Sequence, residues 1–217
     1  MSEDKIVNND TLVDINEIKN ACARKIQNDK GEEDYLEGYK VFLKYFNPEN
    51  PLLDINKPIE GKWNALALAT YFGKTEEVIY LLKLGADPSI KLEKNLTVLH
   101  TAATQGKELI CLSILKHKAS IDNKTKKTIS PLIDAQCDRG TTALMRASEA
   151  GRFDIVKIML PFSPNIMLRD KDGKSCIEYC KETESYDIIR YINNYHLNET
   201  LPRKSEGEYI NKKVTKI

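Results

Sequence analysis

The sequence predicts an all-α solenoid, a stack of helix–turn–helix units joined by short hairpin fingers and closed at both ends by divergent helical caps. Three observations predict it. Three segments align with one another: Asn64-Ala-Leu-Ala-Leu-Ala-Thr-Tyr-Phe-Gly73, Thr97-Val-Leu-His-Thr-Ala-Ala-Thr-Gln-Gly106 and Thr142-Ala-Leu-Met-Arg-Ala-Ser-Glu-Ala-Gly151. Their spacing is regular: Leu66 to Leu99 is 33 residues, Leu144 to Ile177 is again 33, and Leu99 to Leu144 is 45, one unit enlarged by a 12-residue insertion. Each segment ends in a glycine and is followed by a second amphipathic stretch. Self-similarity at such a period is the signature of units that cannot bury their apolar faces alone and must stack.

Each element of the unit has a local reason. Thr97 and Thr142 can cap the first helix with a hydroxyl. Ala69, Ala102, Ala103 and Ala147 keep that helix slim, so neighbours approach closely. Gly73, Gly106 and Gly151 end it, where a positive φ is easiest for glycine. The second helix carries apolar residues at helical spacing: Val78, Leu81 and Leu82, then Ile110, Ile114 and Leu115, then Ile155, Val156, Met159 and Leu160. Gly85-Ala-Asp87, and its weaker counterpart Lys118-Ala-Ser120, mark the exit into an extended finger.

Composition bounds the function classes. The 217 residues carry 33 basic and 32 acidic side chains, a net charge of +1. That balance excludes a strongly basic nucleic-acid binder and a polyacidic mimic. No apolar run approaches the ~18 residues of a membrane span. The first ten residues are too polar for a secretory signal. Five cysteines, an odd number without CxxC units, favour a reducing compartment over a disulfide framework.

The chain resembles the ankyrin repeat family, whose unit runs T-P-L-H-x-A-A-x-x-G, then V-x-x-L-L, then G-A-D. Thr97-Val-Leu-His-Thr-Ala-Ala-Thr-Gln-Gly106 is its closest copy, and Asp138-Arg-Gly-Thr-Thr-Ala-Leu-Met145 follows. Repeat one spans roughly 61–93, repeat two 94–122 and repeat three 139–171. Repeat four, from Asp172 to about Asn194, has Ser175-Cys-Ile-Glu-Tyr-Cys180 for the T-P-L-H box and Glu184 for the glycine, as suits a terminal cap. Residues 1–10 are expected to be disordered and 11–56 to form a helical capping repeat. That cap holds one helix through Val13, Ile15, Ile18, Ala21 and Ile26, a second from Tyr35 to Phe46, and a loop at Asn47–Pro51. Leu53-Asp-Ile-Asn56 matches the family's A-D-V-N opening of a finger. Repeats then fill 57–195, with an insertion near 123–134, and 196–217 form a polar, basic, disordered tail. Both Ala119-Ser-Ile-Asp122 and Pro131-Leu-Ile-Asp134 resemble a finger opening. The insertion reads as one long finger, with a truncated repeat starting at Ser130 as the competing register.

The resemblance implies non-catalytic protein–protein binding through the concave face of fingers and first helices, with the chain acting as an adaptor, inhibitor or assembly chaperone. It implies a partner protein of unknown identity, a monomer when unbound, and no cofactor. The expected location is cytoplasmic, or the host-cell cytosol if the chain is a secreted effector of an intracellular bacterium. Carried over residue by residue, the family's variable contact positions are Trp63, Tyr71 and Phe72 in repeat one, and Leu96, Thr104 and Gln105 in repeat two. Repeat three contributes Arg139, Thr141 and Glu149, with Arg146 beside them, and repeat four Lys174. Repeat one thus sets the only tryptophan beside two further aromatics, the composition of a binding hot spot. The alternative is that these rings pack against the N-terminal cap.

Other chemistry is sparse. Cys176 and Cys180 stand at i,i+4 on a helix, yet no third or fourth zinc ligand accompanies them, and Cys180 falls where the family has a core alanine. His100 is the box histidine, whose implied role is to brace backbone. No nucleophile elbow, G-x-G-x-x-G or Walker pattern appears, which leaves an enzyme with a site in the N-terminal region as a minor alternative. The Lys124, Lys126, Lys127 cluster reads as a solvated loop or a contact for phosphate or an acidic partner.

Overall fold

Repetition of sequence becomes repetition of hydrogen bonds. The computed structural model describes residues 5–8, 11–14, 16–18, 44–46, 53–59, 61–117, 119–121 and 128–200. Eight helices pair up within that span: α1 (Ala65–Phe72) with α2 (Thr75–Lys83), α3 (Val98–Gln105) with α4 (Glu108–Lys116), α5 (Ala143–Glu149) with α6 (Phe153–Met159), and α7 (Cys176–Glu182) with α8 (Tyr186–Thr200). Inner helices α1, α3, α5 and α7 pack in sequence on one another, and outer helices α2, α4, α6 and α8 do the same. The fold is an all-α solenoid.

Each inner helix starts on its own cap. Asn64 Oδ1 accepts the Ala67 N–H at 2.9 Å, Thr142 Oγ1 the Met145 N–H at 3.3 Å, and Ser175 Oγ the Ile177 N–H at 3.2 Å. In repeat two, His100 Nδ1 lies 3.2 Å from the Thr97 N–H. Gly106 ends α3 with φ +72° and has a second constraint. The Arg152 side chain of the next repeat lies over it, 3.1 Å from where a Cβ would stand, and Arg152 Nε donates to the Thr104 carbonyl at 3.1 Å. In repeat four, Glu184 takes the left-handed φ of 55° that glycine takes elsewhere.

The core runs continuously between the two helix layers. Ala65, Ala69, Ala102, Ala103, Ala143, Ala147, Cys176 and Cys180 are buried between inner helices. Ile110, Ile114, Ile155, Val156, Met159, Ile188 and Ile192 are buried on the outer ones. Burying each such large side chain contributes ~1.5–3 kcal/mol. Glu77 breaks this pattern. It occupies the register of Ile110, Ile155 and Ile188, is 3% exposed, and its Oε2 has no hydrogen-bond partner.

Four fingers close in the same way. The N–H groups of Ile59, Leu92, Cys137 and Asp170 each donate to the carbonyl four residues on, at Trp63, Leu96, Thr141 and Lys174, over 2.7–3.0 Å. Adjacent fingers are bonded too, Asp138 N–H to Lys94 O and Lys171 N–H to Arg139 O, both at 2.9 Å. Asn56 Oδ1 accepts the Asp87 N–H at 2.8 Å, and Asp134 Oδ1 the Asn165 N–H at 2.9 Å. Asp134 therefore plays the part of Asn56, and Pro131-Leu-Ile-Asp134 opens the finger of repeat three. The extra residues lie ahead of Pro131, earlier than the expected 123–134. They include a hairpin of β3 (Ser120–Ile121) and β4 (Thr128–Ile129). Ser130–Ala135 folds as turns, so no helix starts in the competing register.

Both ends depart from expectation. Lys5–Asn8 (β1) and Thr11–Asp14 (β2) pair antiparallel, with Ile6 opposite Val13, where the sequence suggested a disordered start and then a helix through Val13. Each four-residue segment is an apolar pair flanked by polar residues, a pattern too short to tell a strand from a helical turn. Residues 16–18 and 44–46 are helical, with Ile18, Tyr45 and Phe46 buried in the core. The rest of the two expected cap helices, the Asn47–Pro51 loop, the Lys124–Lys127 cluster and residues 201–217 lie outside the described residues. At the C-terminal end α8 continues to Thr200, into the span expected to be tail. Among the described residues no helix is long and apolar enough to cross a membrane.

Candidate partner-binding site

The lip of repeat one holds the most distinctive surface. α1 ends at Tyr71-Phe72, just before Gly73 turns the chain, so both side chains project from the last helical turn. They are 49% and 43% exposed. Trp63 comes from the finger that precedes α1 and is partly buried against the core. The Trp63 and Tyr71 ring centroids are 5.4 Å apart at 77°, and those of Tyr71 and Phe72 are 5.3 Å apart at 84°. Such edge-to-face contacts hold aromatic groups in place without burying two faces against each other. The rings line an open cavity of about 430 Å³, shared with Gly61, Leu68 and Glu93.

Glu93 was not legible as a site residue. It comes from the next finger, at the start of a 3-10 turn over Glu93–Asn95, and reaches the cavity only because repeats stack. Its position on a finger tip was the one available signal.

The other expected contact residues divide by environment. Thr104 is exposed and donates its hydroxyl to the His100 carbonyl at 3.0 Å. Gln105 is half-buried at the end of α3, its Oε1 without a partner. Leu96 is half-buried and closes the finger of repeat two. Arg146 pairs with Glu149 at 3.2 Å, Arg139 with Asp172 at 3.4 Å, and Lys174 with Glu182 at 2.6 Å. The last two pairs are exposed and the first is part-buried; surface pairs of this kind contribute little to stability and can be exchanged for a partner's charges.

Thr141 is a correction. It is 0% exposed, its hydroxyl meets Cys137 Sγ at 2.8 Å, and its carbonyl takes the His100 ring. It cannot touch a partner, because the finger of repeat three folds over it.

His100 connects two repeats. Nδ1 faces two donors of Thr97, the N–H at 3.2 Å and Oγ1 at 2.8 Å, so it accepts. Nε2 then carries the proton and donates to Thr141 O at 3.0 Å. Burial pushes this imidazole down to about 4, and it stays neutral near pH 7. The thiols of Cys111 and Cys176 are pushed up to about 12 by burial, the opposite of an activated nucleophile. Cys176 donates weakly to the Ile166 carbonyl at 3.7 Å, and Cys180 sits at the register of Ala147. Among the described residues no group of three or more His, Cys, Asp or Glu side chains is placed to hold a metal ion.

The family profile described as ankyrin repeats (3 copies) matches residues 35–126 and 117–200, more than half of the chain. The chain belongs to the ankyrin repeat family. It is similar to the target of rapamycin complex 2 subunit AVO2 of Saccharomyces cerevisiae, with 23% identity over 164 residues, 75% of this chain and 36% of that protein. It is also similar to the tyrosine-protein kinase HTK16 of Hydra vulgaris, with 21% identity over 150 residues, 69% of this chain and 18% of that protein. The chain therefore spans about a third of one relative and under a fifth of the other. Repeats of this family generally mediate protein–protein interaction and are typically non-catalytic.

Proposed function

We propose that this chain is a non-catalytic binding module that holds a partner protein against its inner helices and finger tips, in the manner of an adaptor, inhibitor or assembly chaperone. The observation that carries the reading is the exposed Tyr71–Phe72 pair braced by Trp63 at a position where the family makes its contacts. Exposed aromatic side chains held rigidly bind at little cost in conformational entropy, and a stacked scaffold is ordered before the partner arrives. The likeness to a protein named as a subunit of a complex agrees with such a role.

Affinity capture from cell lysate tests it. Wild type is run beside a Trp63→Ala/Tyr71→Ala/Phe72→Ala variant and a milder Tyr71→Ala/Phe72→Ala variant, each checked for folding by circular dichroism. The expected result is a partner that wild type retains and both folded variants lose. A partner retained equally by all three places binding on another face and overturns the assignment.

A further inference from the structure

We propose that the aromatic cavity of repeat one receives an arginine side chain of the partner protein, held between ring faces and the Glu93 carboxylate. This inference rests on the reading of that edge as the partner-binding surface and states what the edge recognises. The rings meet at 77° and 84°, so neither pair is stacked face to face, and all three residues line the cavity, with Tyr71 and Phe72 exposed. A cation over an aromatic face is attracted by the ring quadrupole. Elsewhere this chain already satisfies that attraction internally: Lys44 lies 4.8 Å from the Tyr45 ring centroid, Lys157 5.0 Å from that of Phe153, and Lys174 5.6 Å from that of Tyr179. Among the described residues no cation covers Trp63, Tyr71 or Phe72.

The charge at the rim points the same way. Glu93 is exposed, lines the cavity, and its carboxylate makes no hydrogen bond or ion pair among the described residues. A purely apolar group filling the cavity would strip water from Glu93 and give nothing back. An anionic group would be repelled by it. A guanidinium satisfies both features at once: its plane stacks on an aromatic face, and its fork donates two parallel hydrogen bonds to a carboxylate. A lysine ammonium can lie over a ring and donate to the carboxylate, but it has no plane to stack and no fork to give two parallel hydrogen bonds.

The test uses the full chain, in which Trp63 is the only tryptophan, so indole fluorescence reports on this cavity. The probe is the peptide acetyl-Gly-Arg-Gly-amide, titrated at constant ionic strength. Its comparators replace arginine by citrulline, which is neutral and nearly isosteric, or by lysine. The expected result is a saturable change in Trp63 emission with the arginine peptide, weaker by about tenfold or more with the citrulline peptide, and weaker with lysine than with arginine. Glu93→Gln and Phe72→Ala are each expected to bring the arginine response down towards the citrulline level while leaving the fold unchanged. Equal responses to arginine and citrulline, a stronger response to lysine, or no saturable response to arginine each overturn the proposal. The capture experiment separates its failure from that of the wider reading. A partner lost by Tyr71→Ala/Phe72→Ala but fully retained by Glu93→Gln sinks the arginine receptor and leaves the binding surface standing. A partner retained by every variant sinks both.

Discussion

His100 shows how much a single side chain contributes. Its two nitrogens bond groups from neighbouring repeats: the buried Thr97 N–H, and the Thr141 carbonyl, which also accepts the Cys137 N–H at 3.0 Å. His100→Ala is expected to cost about 2–4 kcal/mol in urea unfolding, from an orphaned Thr97 N–H, a lost bond to the Thr141 carbonyl and a cavity. Met145 stands at the same register in repeat three, with its sulfur 3.4 Å from the Thr142 N–H, so His100→Met should cost less than His100→Ala. The sign of the pH effect follows from burial. The folded-state value of about 4 lies below the ordinary 6.5. The unfolded chain therefore binds the proton first on acidification, and stability is lost as pH falls from about 6.5 to about 4. The loss assigned to this group is about 3 kcal/mol; His100→Met should lack it, so the stability difference between wild type and His100→Met should shift by about that amount over this pH range. Glu184 offers the reverse case. A left-handed non-glycine residue is strained by ~1 kcal/mol, so Glu184→Gly should raise stability by ~0.5 kcal/mol once the added chain entropy is counted. An unchanged or lower midpoint would contradict that.

At the scale of the element, the interface between α2 and α4 contains the one conspicuous conflict. Glu77 replaces the isoleucine that the other outer helices bury at this register. Burial pushes its carboxyl up, while its own backbone N–H and Lys74 pull it down and Glu76 raises it further. The folded state thus holds the proton longer than the unfolded chain does, and stability is lost as pH rises from about the ordinary 4.5 through the raised value. Glu77→Ile should stabilise the protein by roughly 1–3 kcal/mol at pH 7, with the gain shrinking towards pH 4.5. A destabilised variant would show that the carboxylate has a favourable partner. The sequence made the helices legible, because Leu66, Leu99 and Leu144 recur with their glycines, and one stacking pattern explains them all. It did not make Glu77 legible as a core residue. A pattern search scores a charged side chain as surface, while stacking register alone decides that this one faces inward. Glu93 was missed for a related reason: its cavity is built across two units from residues 30 positions apart, Trp63 and Glu93, and a pattern confined to one unit cannot see it. The β1–β2 hairpin was missed because four residues carry too little periodicity to tell strand from helix.

At the scale of the whole molecule, stability is close to a sum of units and nearest-neighbour interfaces. That makes the insertion between repeats two and three a test of the architecture. The two repeats are joined by His100 to Thr141 and by Lys94 to Asp138, and neither bond uses the inserted residues. Removing residues 120–131 joins Ala119 to Leu132 and restores 33 residues between Leu99 and Leu144. Ala119 then takes the register of the buried Ala86, and Asp134 keeps its distance from the finger that follows. The deletion gives up the half-buried Thr128, the exposed Ile129 and the buried Ser130. In return it shortens the connection, which lowers closure entropy by only ~0.6 kcal/mol per halving of length. The shortened chain is therefore expected to keep its helical circular dichroism and a single cooperative urea transition, within about 1 kcal/mol of wild type. Its Trp63 emission should be unchanged, because repeat one lies two interfaces away. Two separate transitions would mean that the inserted segment itself couples the halves of the stack. A collapsed helical signal would mean that the 33-residue register of the finger hydrogen bonds is not what aligns repeat two with repeat three.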